Sequence, residues 1–200
     1  MRKIGIFLII IGLFSFALLK IFDFQKEKEA EKQINEYIEI TSIEEDQEEP
    51  IVEDEPIKKE DTKNSLNYVA ILEIPVINLK TGMVEATDNF KSINYAVSID
   101  KSSQYPDIEG NMIIYSHSGN SRIAFFKHLN QVKIGDSVYV YFRGIRYEYK
   151  IFTSYEIEKV GKLNVTYPKD KRHITLVTCN PNKKGFQIVL VGEQINQEKY

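Results

Sequence analysis

Ile174-Thr175-Leu176-Val177-Thr178-Cys179 is the stretch on which the reading of this chain turns. A run of β-branched and apolar residues reads as a strand, and this one ends on the only cysteine of the chain. Upstream, Met112-Ile113-Ile114-Tyr115-Ser116 is a second apolar run, followed by His117. A lone cysteine closing one strand and a histidine closing another suggest a thiol nucleophile with an imidazole partner. The competing reading makes Cys179 a small buried hydrophobe, the usual setting of a free cysteine, and His117 a histidine satisfied at a strand end.

Outward from these two runs the same pattern recurs. From about Leu66 to Tyr200, short apolar and aromatic runs alternate with turn residues. Strands are expected near Tyr68–Ile74, Ile93–Val97, Asn111–Ser116, Ser137–Phe142, Ile145–Tyr155, His173–Thr178 and Phe186–Val191. Turns are expected at Gly135-Asp136, Arg143-Gly144 and Asn180-Pro181-Asn182. Evenly spaced short strands with such turns predict an all-β closed barrel or sandwich. One short helix is expected at Arg122–Leu129, where Ile123, Phe126 and Leu129 would share a face. About 135 residues are enough for one core. There is no internal repeat, glycine-rich phosphate loop or metal motif. One cysteine and three scattered histidines (His117, His128 and His173) argue against a structural zinc site. No cofactor and no nucleic-acid partner are expected.

The N-terminal third reads differently. Met1-Arg2-Lys3 is basic, and Ile4 through Leu19 carries no charge; after Lys20 the apolar character continues through Ile21 and Phe22. A run of roughly 17–25 residues can cross a bilayer as a helix, with Lys20 snorkelling to the interface. Residues 1–23 are therefore expected to be an uncleaved transmembrane anchor. The basic end would stay in the cytoplasm and the rest of the chain outside. The competing reading is a cleaved secretory signal, with a weak small-x-small pattern at Ser15-Phe16-Ala17 inside the apolar run. Either way the cysteine is exported, where it has no intramolecular disulfide partner. Residues 24–64 are rich in charge, with acidic runs at Glu44-Glu45-Asp46-Gln47-Glu48-Glu49 and Glu53-Asp54-Glu55; Pro50 and Pro56 interrupt them, and Phe24 and Tyr37 are the only aromatics. Such a segment is expected to be a disordered, solvated spacer. Its first part, to about Ile40, could form a helix with Glu–Lys pairs at spacing four. Residues 65–200 form the expected folded domain.

Several motifs in this domain together resemble one family. Thr175-Leu176-Val177-Thr178-Cys179 resembles the T-L-x-T-C signature of sortases, the thiol transpeptidases of Gram-positive cell surfaces. Asn111 through Asn120 resembles the segment that delivers their catalytic histidine. Ile71-Leu72-Glu73-Ile74-Pro75-Val76-Ile77-Asn78-Leu79 resembles their L-x-I-P-x-I motif, and Gly135-Asp136 before Val138-Tyr139-Val140 resembles the turn and strand that come after the histidine. The motifs occur in family order across roughly residues 66–193. The resemblance implies an eight-stranded sortase β-barrel with Cys179 ending the seventh strand. It also implies cleavage of an LPxTG-like sorting signal near the C-terminus of a secreted protein. Cys179 would be the nucleophile, and His117 would protonate the departing amine and deprotonate the incoming one. The acceptor would be an amine of a cell-wall precursor or a pilin lysine.

One position departs from the family. Sortases usually carry an arginine on the eighth strand, facing the cysteine. Here Lys183-Lys184-Gly185-Phe186-Gln187-Ile188 holds no arginine. Gln187, or Phe186 one register over, takes the place, and a glutamine amide donates to an oxyanion without a full charge. Arg122, Arg172 or Lys184 would be the alternative donors. The sequence is compatible with three readings: an active sortase, a catalytically weak or inactive sortase-fold peptide binder, and a different thiol hydrolase. The order of His117 before Cys179 disfavours a papain-like enzyme. Some family members are activated by calcium, but Glu73, Glu85, Asp88 and Asp107 are scattered and read as loop charges.

Overall fold

A computed structural model describes residues 2–44, 67–88, 91–160, 168 and 170–200, without side chains for 2–11, 23, 26, 43 and 44. The C-terminal part is a closed barrel of eight strands: β1 (Ala70–Ile74), β2 (Leu79–Glu85), β3 (Val97–Ile99), β4 (Gly110–Tyr115), β5 (Ser137–Phe142), β6 (Ile145–Glu158), β7 (Arg172–Cys179) and β8 (Phe186–Lys199). Around the barrel they run β1-β2-β3-β4-β7-β8-β6-β5, with β5 closing on β1. The β2–β3 and β4–β7 pairs are parallel and the others antiparallel. Cys179 ends β7, the seventh strand, as the family resemblance implied.

Alternation along the strands sorts side chains to the two faces. Met112 and Ile114 of β4, Ile174 and Leu176 of β7, and Ile188 and Leu190 of β8 fill the interior with Leu72, Ile74 and Val140. Burying such a side chain contributes roughly 1.5–3 kcal/mol each. The outward residues of the same strands form a second apolar layer: Val177, Val189 and Val191 are buried, and Ile113 and Tyr115 pack against them. Strand β6 joins that outer layer through a β-bulge. Its register against β8 shifts between Ile151 and Thr153. An extra residue in one strand re-aims the side chains beyond it. Tyr147, Tyr149 and Ile151 therefore face the core, while Tyr155 and Ile157 face outward.

The structure corrects the sequence reading at several elements. Strand β2 was not expected; Gly82 interrupts its pattern. A Cβ there would meet the Tyr68 ring at 2.3 Å, so the glycine exists to let that ring lie on the strand. The strand expected at Ile93–Val97 is a 3-10 segment, Lys91–Asn94, with β3 beginning only at Val97. Buried Ser92 explains it: its amide donates to Thr87 Oγ1, and Ser98 Oγ donates to its hydroxyl at 2.7 Å. Local side-chain bonds of this kind draw a backbone out of the ladder. The helix expected at Arg122–Leu129 is a series of turns, closed by Ala124 N–H to Ser121 C=O, Lys127 N–H to Ala124 C=O and Leu129 N–H to Phe126 C=O. The Phe126 amide is taken by the carbonyl of His117 at 3.1 Å, so an α-helical ladder cannot form.

The N-terminal region forms one helix, α1 (Arg2–Glu44), which takes in the helix expected to about Ile40. Its later turns rest on the outer face of β1 and β5. Ile34 is buried against Ile71 and Tyr141, with Tyr37 and Ile38 beside them. Tyr37 donates its hydroxyl to Val69 C=O at 2.6 Å, and the Thr41 and Tyr200 hydroxyls lie 2.7 Å apart. The sequence places this docking inside a charged stretch whose composition hid it. Residues 45–64 of the expected spacer lie outside the described set. Ile34→Ala is expected to lower stability by about 2 kcal/mol, the low end for emptying a buried site. Exposed Glu31→Ala on the same helix should be neutral. Chemical denaturation of both variants checks this; equal midpoints would show that the helix does not hold to the barrel.

Among the described residues no helix is long and apolar enough to cross a membrane. The apolar run of residues 4–22 lies within α1, and the side chains of its first part, residues 4–11, fall outside the described set.

Candidate active site

The parallel pairing of β4 with β7 creates the site. Its last paired residues are Tyr115 and Val177. Beyond them the strands stay joined: Ser116 N–H donates to Val177 C=O at 3.4 Å, and Thr178 Oγ1 donates to Ser116 C=O at 2.8 Å. Continued two residues past the last pair, this register would bring His117 level with Cys179. Neighbouring strands lie about 4.8 Å apart, and residues in register in a parallel pair share a face. That face is the outward one of Tyr115 and Val177. The two residues singled out in the sequence thus follow neighbouring parallel strands toward the same end of the sheet. Cys179 is a free, half-buried thiol.

His117 is held from two sides. Its carbonyl accepts from the Phe126 amide, and Phe126 is fully buried in the core, so the loop after β4 cannot swing away. Its Nε2 lies 3.3 Å from Asn94 Oδ1. An Nε2–H donating to this oxygen would select the imidazole tautomer. Sequence reasoning missed Asn94, because the segment that carries it was read as strand.

Across β8 the register decides between the two candidates left open. Gln187 pairs directly with Cys179, so their side chains share a face with Cβ atoms about 5 Å apart. Phe186 does not hold this position. The turn between β7 and β8 is tied down around it: Asn180 N–H donates to Phe186 C=O at 2.8 Å, its Oδ1 accepts from Asn182 N–H at 2.9 Å, and its Nδ2 donates to Glu156 at 2.7 Å. Gly185 sits at φ +84°, where an L side chain would be strained.

The alternative donors fare unequally. Arg172 opens β7 while Cys179 ends it, and it pairs with Gly110 at the start of β4. At about 3.3 Å per residue the two ends of the strand are roughly 23 Å apart. Arg172 instead donates to Asp107 C=O at 3.4 Å. Closeness in sequence to the cysteine motif therefore misled: a strand carries its two ends to opposite ends of the barrel. Arg122 is exposed in the loop after His117, and Lys184 is exposed in the β7–β8 turn.

A cation that sequence reasoning did not flag lies at the thiol. Lys159 comes directly after β6, and its Nζ is 3.6 Å from Cys179 Sγ. Its own amide donates to Gly185 C=O at 2.8 Å, which ties the end of β6 to the β7–β8 turn. The apolar layer of Ile113, Tyr115, Val177, Val189, Tyr155 and Ile157 leads along the outer face to this group. Burial, with Asp100 adding to it, pushes the Tyr115 phenol up to about 12, so it stays a neutral wall of that surface. The four scattered carboxylates keep separate partners: Glu73 accepts from Tyr141, Glu85 from Tyr105, and Asp88 and Asp107 pair with Lys101 and Arg143.

Fold and site together define a closed β-barrel with a free thiol at the end of β7 and a histidine just past the end of β4, the strand parallel to it. The sortase-domain family model matches residues 72–194, more than half of the chain, and the chain belongs to the sortase family. It is 29% identical over 111 residues to sortase D of Bacillus subtilis, which covers 56% of this chain and 54% of that protein. The chain thus spans about half the length of this curated relative. Among solved structures, the fold is similar to sortase A of Listeria monocytogenes (TM-score 0.57, 24% identity, covering 66% of this chain and 90% of that one). It is similar also to a lid mutant of sortase A from Corynebacterium diphtheriae (TM-score 0.60, 19% identity, covering 68% and 74%).

Proposed function

We propose that the protein is a membrane-anchored cysteine transpeptidase that cleaves an LPxTG-like sorting signal and transfers the upstream polypeptide to a cell-wall or pilin amine. The observation that supports this reading is the β4–β7 register, whose last pair, Tyr115 with Val177, lies two residues before His117 and Cys179 on their strands. In the first half-reaction Cys179 Sγ attacks the threonine carbonyl carbon. The carbon–nitrogen bond to glycine breaks, and His117 gives the departing amine its proton. In the second, the acceptor amine attacks the thioester, loses its proton to His117 and releases the thiolate. Gln187, which pairs with Cys179 across β7 and β8, would donate its amide to the oxyanion formed in each step. The apolar layer beside the thiol would receive the side chains of an extended peptide.

The anchor belongs to the same proposal. Leu13, Phe14, Phe16 and Leu19 of α1 are each more than half exposed. Large apolar side chains exposed together on one helix favour a lipid surround. With Arg2 and Lys3 cytoplasmic, the barrel would lie outside the cell. The second reading, a sortase-fold protein that binds peptide with little turnover, is favoured by Gln187 where an arginine is usual.

Full-length protein in detergent, incubated with an LPxTG peptide and an amine, tests the two readings. The proposal expects a product joined to the amine, its yield rising with amine concentration. Binding of the peptide without any cleaved product would select the second reading.

A further inference from the structure

Strand β8 offers no arginine to the thiol, yet a cation reaches it from just past the end of β6. After the β6 bulge the outward residues are Tyr155 and Ile157, and continuing that alternation places Lys159 on the same face. Ile157 pairs with Gln187, and Gln187 pairs with Cys179. Gln187 and Cys179 of β8 and β7, and Lys159 just past the end of β6, therefore meet at one end of the sheet. The Lys159 ammonium meets the sulfur at 3.6 Å. Among the described residues no carboxylate pairs with Lys159, whereas Lys183 at the same end is engaged by Glu156.

We propose that Lys159 is a catalytic residue that holds Cys179 as a thiolate. An ammonium beside a thiol favours its ionised form, and the thiolate is the nucleophile. The thiol proton leaves to solvent, and Lys159 acts through its charge without transferring a proton. This role rests on reading Cys179 as the nucleophile. It also narrows what His117 must do: with a cation already at the sulfur, the imidazolium is needed only to protonate the departing amine. On the elements that meet at this end, the charged and titratable groups are Tyr115 of β4, His117 and Arg122 in the loop after it, Tyr155, Glu156 and Glu158 of β6, and Lys183 and Lys184 of the β7–β8 turn, with Glu156 engaging Lys183.

Cys179 is the only cysteine, so alkylation of the full chain reports on this thiol alone. Full-length protein in detergent is treated with iodoacetamide between pH 5 and pH 10, and the rate is monitored by intact mass. Lys159→Gln is expected to move the midpoint of the profile up by about one pH unit, the lower end for removing an adjacent opposite charge. Lys159→Arg should keep the wild-type midpoint, and Lys183→Gln should leave it in place. The shift should persist when His117 is Gln in both proteins, which removes imidazole titration from the comparison. A Lys159→Gln profile that superimposes on wild type would overturn the proposal, as would an equal shift in Lys183→Gln. The readout needs no peptide substrate, so a failure to transfer a sorting peptide would count against the transpeptidase reading alone.

Discussion

Cys179→Ala is expected to abolish cleavage and transfer of a sorting peptide, lowering the rate by at least about 10⁴-fold while leaving the barrel folded. Removing a covalent nucleophile costs on this scale because no other group can form the acyl intermediate. The fold should survive, since Cys179 is half-buried at a strand end and the core beneath it is made by Ile174 and Leu176. The substitution removes one sulfur from the outer face and opens no interior cavity. Steady-state cleavage and the thermal midpoint, measured on the same preparation, separate these effects. Cleavage within tenfold of wild type would remove the thiol mechanism, and a collapsed midpoint would make Cys179 a structural residue.

His117→Ala is expected to be the next most severe change, at about 10²–10⁴-fold, the range for a general acid–base residue. The departing group is an amine, which leaves poorly without a proton. An ester analogue of the peptide, whose alcohol leaves with less assistance, should recover much of the loss. A structural role for His117 would lower both substrates equally. The restraints on the imidazole give a second check: Asn94→Ala frees Nε2 while leaving the Phe126 tether intact, and should cost less than removing the ring.

Much of this site is legible in the sequence because it lies on one well-marked element. β7 has apolar or β-branched residues on both faces, so it reads as a strand, and its end is marked by the single cysteine. The His117 segment is legible for the same reason. The two candidates at β8 could not be separated before the register was known, because a one-residue slip exchanges the faces. Lys159 was hidden by the β6 bulge, which reverses the face of every residue after it. Asn94 was hidden because Ser92 diverts its segment from strand to 3-10 turn through bonds to Thr87 and Ser98. The docking of α1 was hidden for a third reason. It depends on a few side chains, Ile34 and Tyr37 chief among them, set within a stretch whose overall charge argues for solvation.

The anchor and the acceptor stand on different ground from the barrel. Family membership rests on residues 72–194, whereas membrane insertion concerns the apolar run that precedes them. Protease added to intact cells should digest the barrel and spare the N-terminus if the proposed topology holds; digestion of the N-terminus alone would reverse it.

The central claim, that Cys179 carries the acyl group between donor and acceptor, is tested most directly by intact-mass analysis of the full-length protein mixed with a sorting peptide and no acceptor. The account predicts one adduct with the mass of the peptide up to its threonine, located on Cys179 and released when an amine is added. Peptide cleavage without any adduct on Cys179, and equally in Cys179→Ala, would contradict it.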